Sequence, residues 1–367
     1  MDMSNKFSKR AIISEPGEKQ KLIDLSSQID DVISLGRGDP DLRTPELIID
    51  SAISAMKSGE PMGYTKWPGL PELRELIADR YTKQRDVAIS PSKVMVTVGA
   101  QEAVFLTMLT FIDEGDEVIL FEPRYTPYDL AIQLVGGKLV SVPTRLENDF
   151  LPNIEDIESR ITDKTKAILI ISPNNPTGSV FSLDALKKIA HLAKKHDLLV
   201  FSDELYSDLV YDQEEAPSIA SLDGMLERTI IINGFSKSFS MTGWRLGYLI
   251  ASENVIRLMT EMKSATTICA PYISQYAAVA ALKYGEGETE AIVHVYDERR
   301  RYIMQKLDSL GIPYNVPKGT FYIFVDVRKV LGKDETSFVF TQELLKGKKV
   351  LMFPGTIFGK SGEGFVR

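Results

Sequence analysis

The stretch "KAILIISPNNPTG", residues 166–178, decides the fold. Its apolar run shows no alternation, so it reads as a strand covered on both faces. The following Ser-Pro-Asn-Asn-Pro-Thr-Gly supplies turn residues that stop it. Ser182 then stands where an N-cap belongs, ahead of an amphipathic helix over 183–195. The same order recurs on both sides. "KVMVTVGAQEAVFLTMLTFI" (93–112) reads as strand, glycine turn and helix, and "DEVILFEPRYTPYDLAIQLVGG" (116–137) repeats it with Pro123 and Pro127 punctuating the turn. "LLVFSDELY" (198–206) and "RTIIINGFSK" (228–237) are two further apolar strands. Buried strands separated by helices predict an α/β fold with a mostly parallel, doubly wound sheet.

The two ends read differently. Residues 1–45 are polar and turn-rich ("LGRGDPDLRTP"), whereas 290–367 alternate a charged helix ("YDERRRYIMQKLDSLG") with short strands ("TFYIFVDV", "KVLMFPG"). These predict a small α+β domain built from both termini, packed on a large domain over 46–289.

Composition narrows the function. The chain has 367 residues and is 44% hydrophobic, enough for a sizeable core. Its 43 basic and 51 acidic residues give a net charge of −8 without a basic block, which argues against a nucleic-acid partner. No apolar stretch approaches the roughly 18 residues of a membrane span, and the first residues, Met-Asp-Met-Ser-Asn-Lys, lack the apolar core of a leader. A cytoplasmic protein is expected. A lone cysteine, Cys269, and three histidines, two of them (His191 and His196) on the polar helix "LDALKKIAHLAKKHD", assemble neither a disulfide nor a metal site.

In a doubly wound sheet, ligands bind at the carboxyl ends of the strands. Gly99, Ala100 and Gln101 follow the first strand, Tyr125 the second, and Asn174-Asn175-Pro-Thr-Gly178 the third. Asp203 and Tyr206 end the fourth. Lys237 and Arg245 follow the fifth, in "NGFSKSFSMTGWRLGY" (233–248). Taken singly, "NPTG" is a turn and "SDE" a strand end. Together they bring a lysine, an arginine, an aspartate, an asparagine and two tyrosines to one crevice. Pyridoxal 5′-phosphate needs such a set: a lysine for its Schiff base, an acid opposite the ring nitrogen, and a phosphate cradle of helix amides and an arginine.

"SPNNPTG", "SDELY" and "NGFSKSFSMTGWRLGY", in this order and spacing, resemble the class I/II aminotransferases of fold-type I, the branch with aspartate, aromatic and kynurenine aminotransferases. The resemblance runs from about "ISLGRGDPDLRTP" to the last residue. It implies that Lys237 carries the cofactor and, once released, moves the proton between the substrate's α-carbon and the cofactor. Asp203 would keep the ring nitrogen protonated, Asn175 and Tyr206 would bond the ring's phenolic oxygen, and Tyr125 would stack on the ring. Arg245, Gly99, Ala100 and Gln101 would hold the phosphate. Ser236 would join them, because the serine that some relatives carry three positions before the lysine is here Gly234.

Tyr64, in "GYTKWPGLPELR", matches a tyrosine that reaches the neighbouring subunit's phosphate, which implies a homodimer with shared sites; the alternative is an aromatic pair with Trp67. Arg367, in "GEGFVR", would grip the substrate's α-carboxylate beside Gly38 and Asn175. In the family the chain usually continues past this arginine, so the C-terminal end is expected to be incomplete. The implied reaction moves an amino group from an aromatic or dicarboxylic L-amino acid to a 2-oxo acid such as 2-oxoglutarate, in ping-pong order. A C–S β-lyase of the same fold and a non-catalytic ligand sensor are the alternatives. Arg37 and Lys66 are the cations that could meet a side-chain carboxylate.

Overall fold

The structure is a computed structural model that describes residues 6–8, 10–11, 17–59, 62–212 and 215–367. The segment read for a leader lies almost wholly outside the described residues. Among them, no helix is long and apolar enough to cross a membrane, and no group of His, Cys, Asp or Glu could hold a metal ion.

The largest sheet has seven strands. In spatial order they are Val94–Thr97, Gly247–Ile250, Thr229–Gly234, Leu199–Asp203, Thr165–Ile171, Glu117–Glu122 and Lys138–Pro143. All run parallel except Gly247–Ile250, which is antiparallel to both neighbours. The strand-and-helix reading of the middle of the chain is therefore borne out, with two strands added. Lys138–Pro143 and Gly247–Ile250 went unread, the second because it lies inside the "WRLGYLI" run. Gly99, expected in a turn, is instead the first residue of the helix Gly99–Phe111. Ser182 caps Leu183–Lys195 as expected, its Oγ accepting the Ala185 N–H at 3.2 Å.

Unbroken apolar strands make sense because successive side chains leave opposite faces. Ile168 and Ile170 pack with Ile119, Leu186, Ile189 and Val200 under the helix Leu183–Lys195. Leu169 and Ile171 pack on the other side with Leu120, Phe201, Leu106 and Met259, under the helices Gly99–Phe111 and Glu253–Ser264. From Ala167 to Ile171 each strand residue is thus needed by one layer or the other, and none of these five is left to face water.

Two small sheets complete the fold. Ile33–Ser34 pairs in parallel with Val350–Leu351, and Phe324–Asp326 lies between Tyr314–Asn315 and Phe365–Val366. Their core is aromatic. Phe324 stacks on Phe365 with ring centroids 5.0 Å apart, and Phe150 meets both edge-on at 5.4 Å.

One close approach ties the sheet to the rim. A β-carbon on Gly247 would lie 2.5 Å from the Ala100 amide nitrogen and 2.6 Å from the Gly99 carbonyl carbon. Only glycine lets the antiparallel strand run directly behind the start of the helix Gly99–Phe111. Gly247→Ala is therefore expected to cost roughly 1–3 kcal/mol of stability, as overpacking does, read as a lower denaturant midpoint with an unchanged slope.

Candidate active site

A cavity of about 840 Å³ opens at the carboxyl rim of the large sheet, walled on the far side by residues next to the small sheets. Lys237 enters three residues after its strand ends at Gly234. Its amine is buried and donates to the Gly38 carbonyl at 2.6 Å. Burial is the main reason its pKa falls to about 8; Arg367 and Arg245 push the same way, against Asp39 and Asp203. The loop that carries it is pinned from behind. Ser238 Oγ donates to Asp208 at 2.7 Å, and Asp208 meets Arg80 at 3.1 Å.

Asp203 closes the neighbouring strand. Its Oδ2 accepts from the Tyr128 hydroxyl at 2.7 Å and its Oδ1 from the Leu205 N–H at 3.0 Å. Burial still pushes the carboxyl above its ordinary value, although Tyr128, Leu205 and Lys237 oppose it. The oxygens of Tyr206 and Tyr322 lie 2.8 Å apart, and burial raises both phenols. Tyr125 also lines the cavity, its ring edge-on to Tyr128 at 6.2 Å.

Arg245 has a left-handed backbone, φ 53°, and returns the chain to the same rim because the strand after it runs antiparallel. Its guanidinium lies so close to Gly99, φ 68°, that a β-carbon there would be 2.6 Å from Nη2. Beside it is the N-terminus of the helix Gly99–Phe111, whose N-cap residue, Val98, has no side chain able to accept the first amides. Such an end is electropositive and offers backbone amides.

Arg367 reaches in from the small sheet. Nη1 donates to Asn175 Oδ1 at 2.7 Å and Nη2 to the Gly36 carbonyl at 2.6 Å, while the guanidinium lies 4.1 Å from the Tyr322 ring centre. Its Nε is buried without a partner. A β-carbon on Gly38 would stand 2.9 Å from the Tyr322 hydroxyl.

The fold therefore gathers Lys237, Asp203, Tyr206, Asn175, Tyr125, Ala100, Gln101, Ser236, Arg245, Arg367 and Gly38 around one space, with Gly99 directly behind Arg245. Tyr64 and Lys66 do not line it, and Tyr64 is 83% exposed. Arg37 does line it, as does Lys19. Tyr128 and Tyr322 went unread. Tyr128 lies in the first turn of the helix Pro127–Leu134, two residues past its N-cap Thr126, and its closeness in sequence to Tyr125 was the available signal; Tyr322 sits in the aromatic run "TFYIF" with nothing local to separate it from core.

A model of the family described as aminotransferase class I and II matches residues 30–367. The chain belongs to this family. It is 43% identical to an aspartate aminotransferase of Pyrococcus abyssi, over 98% of this chain and 92% of that protein. It is 40% identical to aromatic-amino-acid aminotransferase 2 of Thermococcus litoralis, with the same coverage. The crystal structure of the aspartate aminotransferase of Thermotoga maritima superposes with a TM-score of 0.92 at 39% identity, over 98% of this chain and 94% of that one. Amino-group transfer, expected from the motifs, is the activity of this family.

A buried lysine of depressed pKa makes the aminotransferase's pH behaviour checkable. The neutral amine is the nucleophile, so reductive methylation of Lys237 is expected to rise with a midpoint near pH 8, while ordinary lysines keep gaining up to about pH 10; peptide mapping across pH measures both. Between pH 8 and 10.5 an unfolded lysine still holds the proton that folded Lys237 has released, so this group adds stability as pH climbs through that interval.

Proposed function

We propose that this aminotransferase holds pyridoxal 5′-phosphate on Lys237 and works as a cytoplasmic homodimer. In this reading it passes the amino group of an aromatic or dicarboxylic L-amino acid to a 2-oxo acid such as 2-oxoglutarate. The observation that carries the reading is a depressed amine and a half-buried carboxylate facing one cavity, with an arginine and a helix N-terminus at one end. The donor set fits the cofactor chemically. Asp203 is half-buried without a cation in hydrogen-bond contact, which suits a protonated ring nitrogen. The amides of Gly99, Ala100 and Gln101, with Arg245 and Ser236, suit a phosphate.

When bound, the cofactor supplies an electron sink for the bond broken at the substrate's α-carbon. The protein's own groups then have separate tasks. Asp203 holds a proton on the ring nitrogen, and Tyr128 keeps Asp203 ionised. Tyr125 would flank the ring, and Tyr206 and Asn175 would meet its phenolic oxygen. Arg367, with Asn175 and the backbone at Gly38, takes the α-carboxylate; its unpartnered Nε and cation–π shelf on Tyr322 support that task. The Lys237 amine, once free, would take the proton from the substrate's α-carbon and hand it to the cofactor, as a base with a pKa near the working pH can. Arg37, with Lys19 also in the cavity lining, is a cation available for a side-chain carboxylate. The reading assigns exposed Tyr64 to the phosphate of a second copy. It also divides the chain into a large unit, 46–289, and a small one, 1–45 with 290–367, supported by the pairing of Ile33–Ser34 with Val350–Leu351.

A panel of amino donors against 2-oxoglutarate tests the reading. New amino acid should form with aspartate or aromatic donors, and Lys237→Ala should lower the rate by about 10²–10⁴-fold, the range for a positioned acid–base group. No transfer with any donor would overturn the reading. Tyr128→Phe should lower kcat by roughly ten- to a hundred-fold with KM little changed, because a hydrogen bond to a charged group is worth about 1.5–3 kcal/mol.

A further inference from the structure

Behind the first turn of the helix Gly99–Phe111 lies an ion pair with no part in the site described above. Lys263, on the helix Glu253–Ser264, is fully buried. Its Nζ donates to both Glu102 carboxylate oxygens, at 2.8 and 2.7 Å, and to Thr267 Oγ1 at 2.9 Å, so three acceptors surround its three protons. The Thr267 hydroxyl also donates to Glu102 Oε1. The second carboxylate oxygen of Glu102 accepts the Val98 N–H at 2.5 Å. Val98 immediately precedes Gly99 and is the N-cap residue of the helix, whose amides point at the cavity's arginine end.

Glu102 thus fixes the entry of the helix by taking the backbone donor of its N-cap. A carboxylate in a helix's first turn suits the helix dipole but opposes any anion bound at the same end. Unpaired, it would work against the cradle it braces. The lysine removes the conflict. Burial lowers the Lys263 amine and Glu102 draws it back up. Stability alone gives little reason for such a pair, since well-packed apolar residues serve as well in many buried ion pairs.

We propose that Lys263 is a positioning residue for the phosphate cradle: it cancels the charge of Glu102, letting that carboxylate brace the amides of Gly99, Ala100 and Gln101 without repelling the phosphate. This rests on the reading that the cavity holds pyridoxal 5′-phosphate. Lys263 touches no reacting atom, and its effect passes through Glu102 and Val98.

The test is binding to apo-enzyme, measured by calorimetry with three probes: pyridoxal 5′-phosphate, pyridoxal, which has the ring without the phosphate, and inorganic phosphate. Lys263→Met should weaken both phosphate-bearing probes by about ten-fold or more, the scale of one uncompensated charge near a bound anion, and leave pyridoxal within about two-fold. Glu102→Gln, which removes the repelling charge, should not weaken them. The double variant should return to within about three-fold of wild type, a recovery that only coupled residues show. Equal loss of all three probes in Lys263→Met would mean a merely structural pair and would overturn the proposal. So would unchanged phosphate binding, or no recovery in the double variant. If Lys263→Met does not fold, weaker phosphate binding by Glu102→Gln is enough to overturn it, and equal or tighter binding supports it. Wild-type protein that binds pyridoxal 5′-phosphate no better than pyridoxal would bring down the cofactor reading itself.

Discussion

The cavity keeps an amine and a carboxylate in one partly dry space without letting them form an ion pair. Lys237 spends its contact on the Gly38 carbonyl, and Asp203 spends its contacts on Tyr128 and the Leu205 amide. Desolvation therefore acts on each with little relief, pulling the lysine down and pushing the aspartate up. Had they met, each would have been neutralised and fixed. Held apart, the lysine keeps a reactive amine near neutral pH, and the aspartate keeps an appetite for a cation.

The fold maintains that separation through strand ends. Neighbouring parallel strands finish at the same rim, so Asp203 and the loop after Gly234 are adjacent by register, with Asp203 opposite Ile232. A wholly parallel sheet would carry the next segment away behind a helix. Here the antiparallel strand Gly247–Ile250 turns the chain back at once and leaves Arg245 at the rim, against Gly99. The close approach of Gly247 to Ala100 locks that arginine's strand to the helix whose amides it accompanies. Facing elements close the space: Gly36 and Gly38 follow Ile33–Ser34, Tyr322 precedes Phe324–Asp326, and Arg367 follows Phe365–Val366. Residues more than 300 positions apart meet there because the strands near the two ends of the chain pair.

Much of this was legible in the sequence, and the exceptions share a cause. Apolar runs announced the buried strands because a strand covered on both faces has no polar positions to spare, and Ser182 announced its helix because a cap works locally. Lys237, Asp203 and Asn175 stood out as polar residues at the ends of such runs. The strand Gly247–Ile250 did not, since "GYLI" is too short and too close to the preceding turn to show a period. Tyr128 and Tyr322 act through partners 75 and 116 residues away, and no spacing rule reaches that far. Lys263 is the extreme case. In "RLMTEMKSATT" it reads as the solvated lysine of an amphipathic helix, and only the placement of Glu102 opposite turns it inward. Tyr64 was legible as a residue, but it is exposed and does not line this cavity.

The wall facing the rim carries a bias of its own. Lys19, Arg37 and Arg367 line it, with Asp39 the acid among them. Arg367 lowers the Lys19 amine beyond the effect of burial, and Asp39 opposes that, so these charges act on one another across the space. Phe353, Ile357 and Phe358 also line the cavity. A cationic surface interrupted by apolar patches can receive a carboxylate at one end of a substrate and either a second carboxylate or an aromatic ring at the other. The residues that carry the chemistry sit on the rim of the rigid sheet. Lys19, Arg37, Phe353 and Phe358 stand on other elements, outside the contacts that hold the amine and the carboxylate apart.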